Sequence, residues 1–311
     1  MKVWSEGGQR RKASGAGGSP GETAMEAQSD PFKEEFKFYK RRSVRPDLSG
    51  VVDALRDDCS GALRPRALSE QLSQADCERL GLRAEWPPAA YELVDAPGLL
   101  LLPDPFTAEG QRRWVRRCLE EYARPPHLTN VKAPATVLRA GDPFYGALRW
   151  ATVGLHHDWD TKVYDGARRS PFPDCLRDLA TGLARLAGFG AFRPEAAIVN
   201  YYAMDSALGG HVDNSELALD APVVSASFGQ TAVFLVGGAT RERRPRALLL
   251  RSGDVLVMSG PARLAYHAVP RVLPAGDDRP WAGGDAQWEP LEAYLDTHRI
   301  SISVRQVFPA S

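Results

Sequence analysis

Apolar positions along the chain follow two regimes. In the first part they recur three and four residues apart, the spacing of one helix face; from Ala196 onward they sit in short runs bounded by Gly, Pro, Asp and Ser. "DPFKEEFKFYKRR" (Asp30 to Arg42) opens with Asp-Pro, suited to an N-cap followed by proline in the first turn, and spaces Phe32, Phe36 and Tyr39 as a helical stripe. Thr107 caps a second helix whose Trp114, Val115, Cys118, Leu119 and Tyr122 form one face and which Pro125 and Pro126 stop. A third runs from Asp174 to about Leu186, with Leu176, Leu179 and Leu183 inward and Gly188 as its stop. Residues from about Ser43 to Ala90 read as loop-rich. The later runs, "AAIVNYY", "VVSASFG", "TAVFLVGG", "RALLLRSG", "DVLVMSG" and "RISISVRQVF", are strand candidates with no helices between them, so they predict antiparallel packing rather than a doubly wound sheet. The expected fold is α+β: two packed sheets of jelly-roll type flanked by the earlier helices.

The 311 residues suffice for one large domain or two small ones. Residues 1–30, rich in Gly, Ser, Ala and Glu, are expected to be a disordered leader. Residues 31–95 then form an N-terminal extension with a basic amphipathic helix, and 96–311 the main domain. Lys33, Lys37, Lys40 and Arg41 flank the aromatic stripe of that helix, either as a solvated face or as a surface that also holds phosphates. Overall charge gives no argument for nucleic acid, since Lys+Arg and Asp+Glu both number 39. The four cysteines, Cys59, Cys77, Cys118 and Cys175, show no CxxC spacing and follow no secretory signal, which suggests reduced thiols inside a cell. Lys2, Arg10, Arg11 and Lys12 resemble a mitochondrial transit peptide whereas Glu6, Glu22 and Glu26 do not, so mitochondrion, nucleus and cytoplasm stay open. The longest apolar patch, "PGLLLLP", falls far short of the roughly 20 residues that span a bilayer, so no membrane partner is expected.

Candidate chemistry is concentrated late in the chain. In "GGHVDNSELALD", His211 and Asp213 lie two apart and share one face if they end a strand. That pair alone is weak, but His267 in "RLAYHAVP" supplies a remote third ligand. Two histidines and one carboxylate suit a non-haem Fe(II) centre with three open positions, whereas a structural zinc would want a fourth protein ligand. In "RISISVRQVF", Arg299, Ser301, Ser303 and Arg305 line one side of a strand. The arginines start roughly 20 Å apart at the backbone. Their arms could hold a small dicarboxylate, or pair with neighbouring acids in a half-buried strand.

Together "NYY" (200–202), "HVD" (211–213), "SFGQTAVFLVGG" (227–238), "SGDVLVMSG" (252–260), "YHAVPRV" (266–272) and "RISISVRQV" (299–307) resemble the AlkB family of 2-oxoglutarate-dependent nucleic-acid dioxygenases. "FKFYKRR", "LRWATVG" and "PRVLP" look like its homologue-1 branch. The resemblance implies a double-stranded β-helix, Fe(II) on His211, Asp213 and His267, and 2-oxoglutarate and O2 as co-substrates. It gives Asn200 and Tyr202 hydrogen bonds to 2-oxoglutarate, Arg299 its distal carboxylate, and Arg305 a place near the iron-chelating end. Ser301 stands where the family usually has Asn, and Leu155 where it often has Tyr.

Such an enzyme oxidises a methyl group on a base that is flipped out or unpaired, releasing formaldehyde from an N-methyl and leaving a C-methyl oxidised. His156, His157, Trp159 and Tyr164 are candidate stacking surfaces, with core packing the other reading for Trp159. Ser215 lies just behind the metal pair, and Arg241 opens "RERRPR", a loop that is either a phosphate contact or a solvated turn. The homologue-1 branch implies tRNA as partner, with 1-methyladenine demethylation and 5-methylcytosine oxidation, and N6-methyladenine in unpaired or bubbled DNA as a further activity. The chain is expected to act as a monomer. Two other classes stay open: a 2-oxoglutarate-dependent protein hydroxylase or demethylase, and a non-catalytic nucleic-acid-binding scaffold.

Overall fold

The computed structural model describes residues 29–55, 61–85, 89–132 and 142–310. Most of the expected leader, and Cys59, lie outside them. The chain begins with α1 (Pro31–Lys40), followed by β1 (Leu63–Ala67), α2 (Gln74–Leu80), β2 (Ala89–Leu93) and β3 (Leu99–Leu102). Next come α3 (Ala108–Arg116), β4 (Leu128–Thr129), α4 (Pro143–Ala147), β5 (Trp150–Asp158), β6 (Val163–Arg169) and α5 (Asp174–Leu186). The sheet-rich part holds β7 (Ala196–Ala203), β8 (Leu208–His211), β9 (Val223–Gly229), β10 (Thr231–Val236), β11 (Arg246–Leu250), β12 (Val255–Met258), β13 (His267–Leu273), α6 (Glu289–Leu295) and β14 (His298–Arg305).

The strands form two sheets. The larger runs β1-β2-β3-β12-β9-β14-β7-β5-β4, with β6 paired to β5, and the smaller runs β11-β10-β13-β8. This is the expected jelly roll, and its two faces are chemically different. Ile300, Ile302 and Val304 of β14, with Val199 and Tyr201 of β7, point into the main core shared with α3 and α5. The alternate residues face the smaller sheet, so the period of two along β14 separates a dry outer core from a polar interior. The segment read as loop-rich instead contributes β1 and α2: β1 pairs with β2 in register, and β2 with β3, so this stretch widens the larger sheet. Short strands flanked by arginines hide that pattern from the sequence.

The helices follow their sequence signals. Asp30 accepts the Lys33 amide at 2.8 Å, and Thr107 accepts that of Gly110 at 2.9 Å. α3 does not stop at Arg116; it widens into a π-helical turn, Arg117–Glu121, before Tyr122. Its outer arginines are paired along the helix, Arg116 with Glu120 and Arg117 with Glu121, which leaves them as a solvated face. α1 packs on β13 and β8, burying Phe32 and Tyr39 against Val233, Leu235 and Ala268 of the smaller sheet. Fully burying such a ring stabilises by about 1.5–3 kcal/mol.

Gly154 marks a break in β5. Its φ is +75°, and a Cβ there would lie 2.2 Å from the Glu195 carbonyl oxygen, so only glycine fits. At this point β5 leaves its pairing with β7 and turns into the hairpin with β6. That turn delivers the far end of β5 to the opening between the sheets.

Candidate metal centre and active site

β8 and β13 bring the two histidines together, because His211 and His267 are direct partners in the antiparallel ladder. Their rings lie 4.2 Å apart, and with Asp213 they present three ligand atoms all within 4.8 Å of one another. Among the described residues this is the only such group of His, Cys, Asp and Glu. Nδ1 of His211 lies 3.0 Å from the Gly209 carbonyl, and Nδ1 of His267 lies 3.0 Å from that of Ala265. A carbonyl only accepts, so each Nδ1 carries the proton and each Nε2 keeps a free lone pair. Burial, reinforced by His211, pushes His267 down to about 4, so it stays neutral at physiological pH. Two imidazoles with Nε2 turned away from their carbonyl partners and a carboxylate are the donor set for one divalent ion.

Asp213 is held in place by two arginines. The Arg305 guanidinium donates to its Oδ2 at 2.6 Å, and Arg263 donates to its backbone carbonyl. Burial alone would raise this carboxyl, but the Arg305 guanidinium beside it outweighs burial and holds Asp213 well below the usual carboxylate range. Glu216 closes the network: it lies 3.1 Å from Arg305 and 3.0 Å from Arg263, and all three are buried. The sequence reading missed Glu216 and Arg263. The available signal was an acid three residues after Asp213 and an arginine four before His267, both unremarkable until the fold joins them.

The floor of the site is a set of rows across the larger sheet. Trp150, Asn200, Ser301 and Ser227 are successive partners across β5, β7, β14 and β9; Tyr202, Arg299 and Gly229 form the next row. Directly paired residues share a face, so Asn200, Tyr202, Ser301, Arg299 and Arg305 all project between the sheets. Arg299 is 1% exposed. It donates to the carbonyls of Gln230 and Leu250 and, at 2.6 Å, to the Ser227 hydroxyl, while its Nε has no partner. Among the described residues no carboxylate lies within ion-pair distance of it, and burial lowers its pKa to about 10. A buried guanidinium fixed by neutral groups, with a donor to spare, is an anion site awaiting its anion. Arg305 differs, because its charge is already met by Asp213 and Glu216. Of the two arginines only Arg299 has no carboxylate at ion-pair distance among the described residues.

The hairpin of β5 and β6 adds an aromatic wall. The His157 ring lies 4.6 Å from Trp159 and 5.1 Å from Tyr164, and Trp159 lies 5.3 Å from Trp150. Nε2 of His157 meets the Ser215 hydroxyl at 3.0 Å, which ties this wall to the loop behind Asp213. Nδ1 of His157 and Nε1 of Trp159 are buried without a hydrogen-bond partner, while the buried Tyr164 hydroxyl interacts with Glu216. Trp150 was not among the sequence candidates; its place opposite Asn200 comes only from strand register.

Two expectations are corrected. His156 is not part of this wall: it is 5% exposed, its Nδ1 is 2.8 Å from the Thr152 hydroxyl, and burial, with His127 and Arg168 nearby, lowers it to about 4. Neighbouring strand residues point to opposite faces, so His156 and His157 cannot both line the opening. Arg241 is not a free cation either. It pairs with Asp30 at 2.9 Å, Arg244 with Glu35 at 2.8 Å, and Arg246 with Asp95, so the arginine loop staples α1 to the smaller sheet.

A jelly roll carrying a His-x-Asp pair, a distant His and a buried arginine open to an anion defines a 2-oxoglutarate-dependent Fe(II) oxygenase. Residues 98–305 match the family model of the 2OG-Fe(II) oxygenase superfamily. The chain is 35% identical to human "Nucleic acid dioxygenase ALKBH1", over 95% of this chain and 88% of that one. It is 30% identical to "tRNA demethylase abh1" of Schizosaccharomyces pombe, over 91% of this chain and 97% of that one. With "DNA N(6)-methyladenine demethylase ALKBH1A" of Arabidopsis thaliana the identity is 32%, over 68% of this chain and 76% of that one. The chain belongs to the 2OG-Fe(II) oxygenase superfamily, in its AlkB homologue 1 branch. Fe(II), 2-oxoglutarate and dioxygen are therefore its cofactor and co-substrates.

Proposed function

We propose that this enzyme oxidises methyl groups on nucleic-acid bases, with tRNA as its principal substrate, removing the methyl of 1-methyladenine and oxidising that of 5-methylcytosine. In this reading His211, Asp213 and His267 hold the iron. Arg299, oriented by Ser227, takes the distal carboxylate of 2-oxoglutarate, with Asn200, Tyr202 and Ser301 lining its bed. Arg305 keeps the Asp213 carboxylate ionised and turned to the metal. Iron held there, with 2-oxoglutarate and dioxygen, would supply the oxidising power by which the co-substrate becomes succinate and CO2 and one oxygen atom enters the substrate C–H bond.

The observation that carries the substrate class is the aromatic wall. Its three flat rings are His157, Trp159 and Tyr164, and the first two each have a buried polar atom without a partner, beside the loop that carries Asp213. A flat heterocycle with hydrogen-bonding edges satisfies both features, by stacking and by pairing, whereas an aliphatic peptide side chain satisfies neither. The polyanion attached to such a base meets Lys33, Lys37 and Lys40 of α1, which are exposed and have no acid at ion-pair distance among the described residues. The names of the human, fission yeast and Arabidopsis relatives support the same class. N6-methyladenine in unpaired DNA belongs to the same substrate class.

The test offers the iron-loaded enzyme, with 2-oxoglutarate, three pools: total RNA, single-stranded methylated DNA and methylated or proline-rich peptides. Mass spectrometry of nucleosides and peptides then identifies the oxidised product. Loss of 1-methyladenosine with little change in the peptide pool is expected; oxidised peptides with unchanged nucleosides would make the enzyme a protein hydroxylase.

A further inference from the structure

One ring underlies both histidine ligands, and it comes from outside the strands that carry them. Phe32, in the first turn of α1, is 1% exposed. It lies against Gly210, which precedes His211: a Cβ on Gly210 would sit 2.7 Å from its Cε1. On its other edge it meets Gly237, where a Cβ would sit 2.9 Å from Cδ2. Its ring centroid is 6.0 Å from that of Tyr266, which precedes His267. The backbone around Tyr266 is tied to the same place, since Gly237 donates to the Tyr266 carbonyl at 2.8 Å and Tyr266 to the Gly238 carbonyl at 2.9 Å.

The strand that delivers His211 needs such support. β8 has four residues, lies at the edge of the smaller sheet, and pairs with β13 through a ladder whose register shifts just after the two histidines. Backbone pairing alone gives it little to hold its separation from β13. α1 spans both strands from the outer side and is itself fixed at its start, where the Phe32 amide donates to the Arg241 carbonyl at 3.3 Å and Asp30 pairs with Arg241.

We propose that Phe32 is a positioning residue of the metal centre: its ring, wedged between the residues that precede His211 and His267, sets the spacing of the two imidazoles. This rests on the reading of His211, Asp213 and His267 as metal ligands. It makes the N-terminal helix, which lies outside residues 98–305, part of the catalytic apparatus.

The test uses the full chain, freed of metal and titrated with cobalt(II), whose visible absorption reports ligand number and geometry. Native protein, Phe32→Ala, Phe32→Leu, Phe36→Ala and Asp213→Ala are compared, together with the thermal midpoint of each metal-free protein. Phe36 is half-buried on the same helix and serves as the control for helix docking. The expected result is cobalt affinity lowered about tenfold or more in Phe32→Ala, the scale of losing a group that orients a ligand, with an altered spectrum. Phe32→Leu should show a smaller loss of the same kind, and Phe36→Ala native affinity and spectrum. Native cobalt binding by Phe32→Ala, or equal losses in Phe32→Ala and Phe36→Ala, would overturn the proposal. Should Phe32→Ala not fold, Phe32→Leu against Phe36→Ala decides in the same way. If native protein takes up no cobalt, or Asp213→Ala takes it up equally well, the ligand assignment itself fails and the wedge fails with it.

Discussion

Each imidazole of the metal centre has one nitrogen committed to a carbonyl two residues before it, and this local contact is what a spacing of ligands in sequence cannot convey. His211, Asp213, His267 and the arginine strand were legible because their residue types and period point to one chemistry. Glu216, Arg263 and Ser227 were not, since an isolated Glu, Arg or Ser acquires a role only when strands distant in sequence meet. The co-substrate arm gives a direct prediction. Arg299→Ala removes buried charge-assisted hydrogen bonds of about 1.5–3 kcal/mol, so the apparent KM for 2-oxoglutarate should rise about 10- to 100-fold in succinate assays, with cobalt affinity unchanged. Beneath Arg299 lies Asp254, fully buried, accepting from the amides of Arg251 and Asp104 and raised by that burial to about 7. A folded pKa above the unfolded value means that the native state binds the extra proton between about pH 4 and 7, so this group's contribution to stability is lost as pH rises through 7. In urea melts at pH 5 and pH 8, the stability difference between Asp254→Asn and native protein should therefore move in the variant's favour at pH 8. A difference that does not change between the two pH values would mean that the two amides keep Asp254 ionised.

Among elements, α1 is the one whose sequence was read correctly in shape and incompletely in purpose. Its aromatic stripe and cap announced a docked helix, but nothing in the stripe says that the docking partner is the pair of strands bearing the histidines. The segment before Ala90 was misread, because β1 and β2 are short and β1 carries exposed arginines, so neither shows the apolar alternation that marks a strand. Asp30 holds both the helix cap and the link to Arg241, so Asp30→Ala should destabilise the fold by about 1 kcal/mol in urea unfolding. The cationic face is separable from the docked one. Replacing Lys33, Lys37 and Lys40 by Glu should leave turnover of a short methylated oligonucleotide intact. It should also flatten the salt dependence of tRNA binding, each lost phosphate contact lowering the slope by about 0.7 to 0.9. Unchanged slopes would leave the helix as a buttress alone.

For the whole molecule, the jelly roll divides labour between its sheets: the smaller one carries the two histidines, while the larger one carries Arg299, Asn200, Tyr202 and Ser301, the bed proposed for the co-substrate, and, through the β5–β6 hairpin, the aromatic wall. The fold class was legible from strand period alone; which of the adjacent His156 and His157 joins the wall was not, because that depends on the register of the β5–β6 hairpin, which pairs His157 with Tyr164. No helix among the described residues is long and apolar enough to cross a membrane, and formal charge is balanced. In the proposed function, substrate selection rests on local features: the lysines of α1 and the unpartnered atoms of His157 and Trp159. The central claim is that these features serve oxidation of a methylated base at the His211, Asp213, His267 centre. Its most direct measurement is stoichiometric: a tRNA-derived oligonucleotide bearing one 1-methyladenine, iron, 2-oxoglutarate and oxygen, with succinate, formaldehyde and unmethylated adenine quantified together. Formaldehyde and adenine are expected in equal amounts, with succinate at least matching them and all three vanishing in Asp213→Ala. Succinate formed at the same rate with the methylated base untouched, or adenine restored by Asp213→Ala, would contradict the central claim.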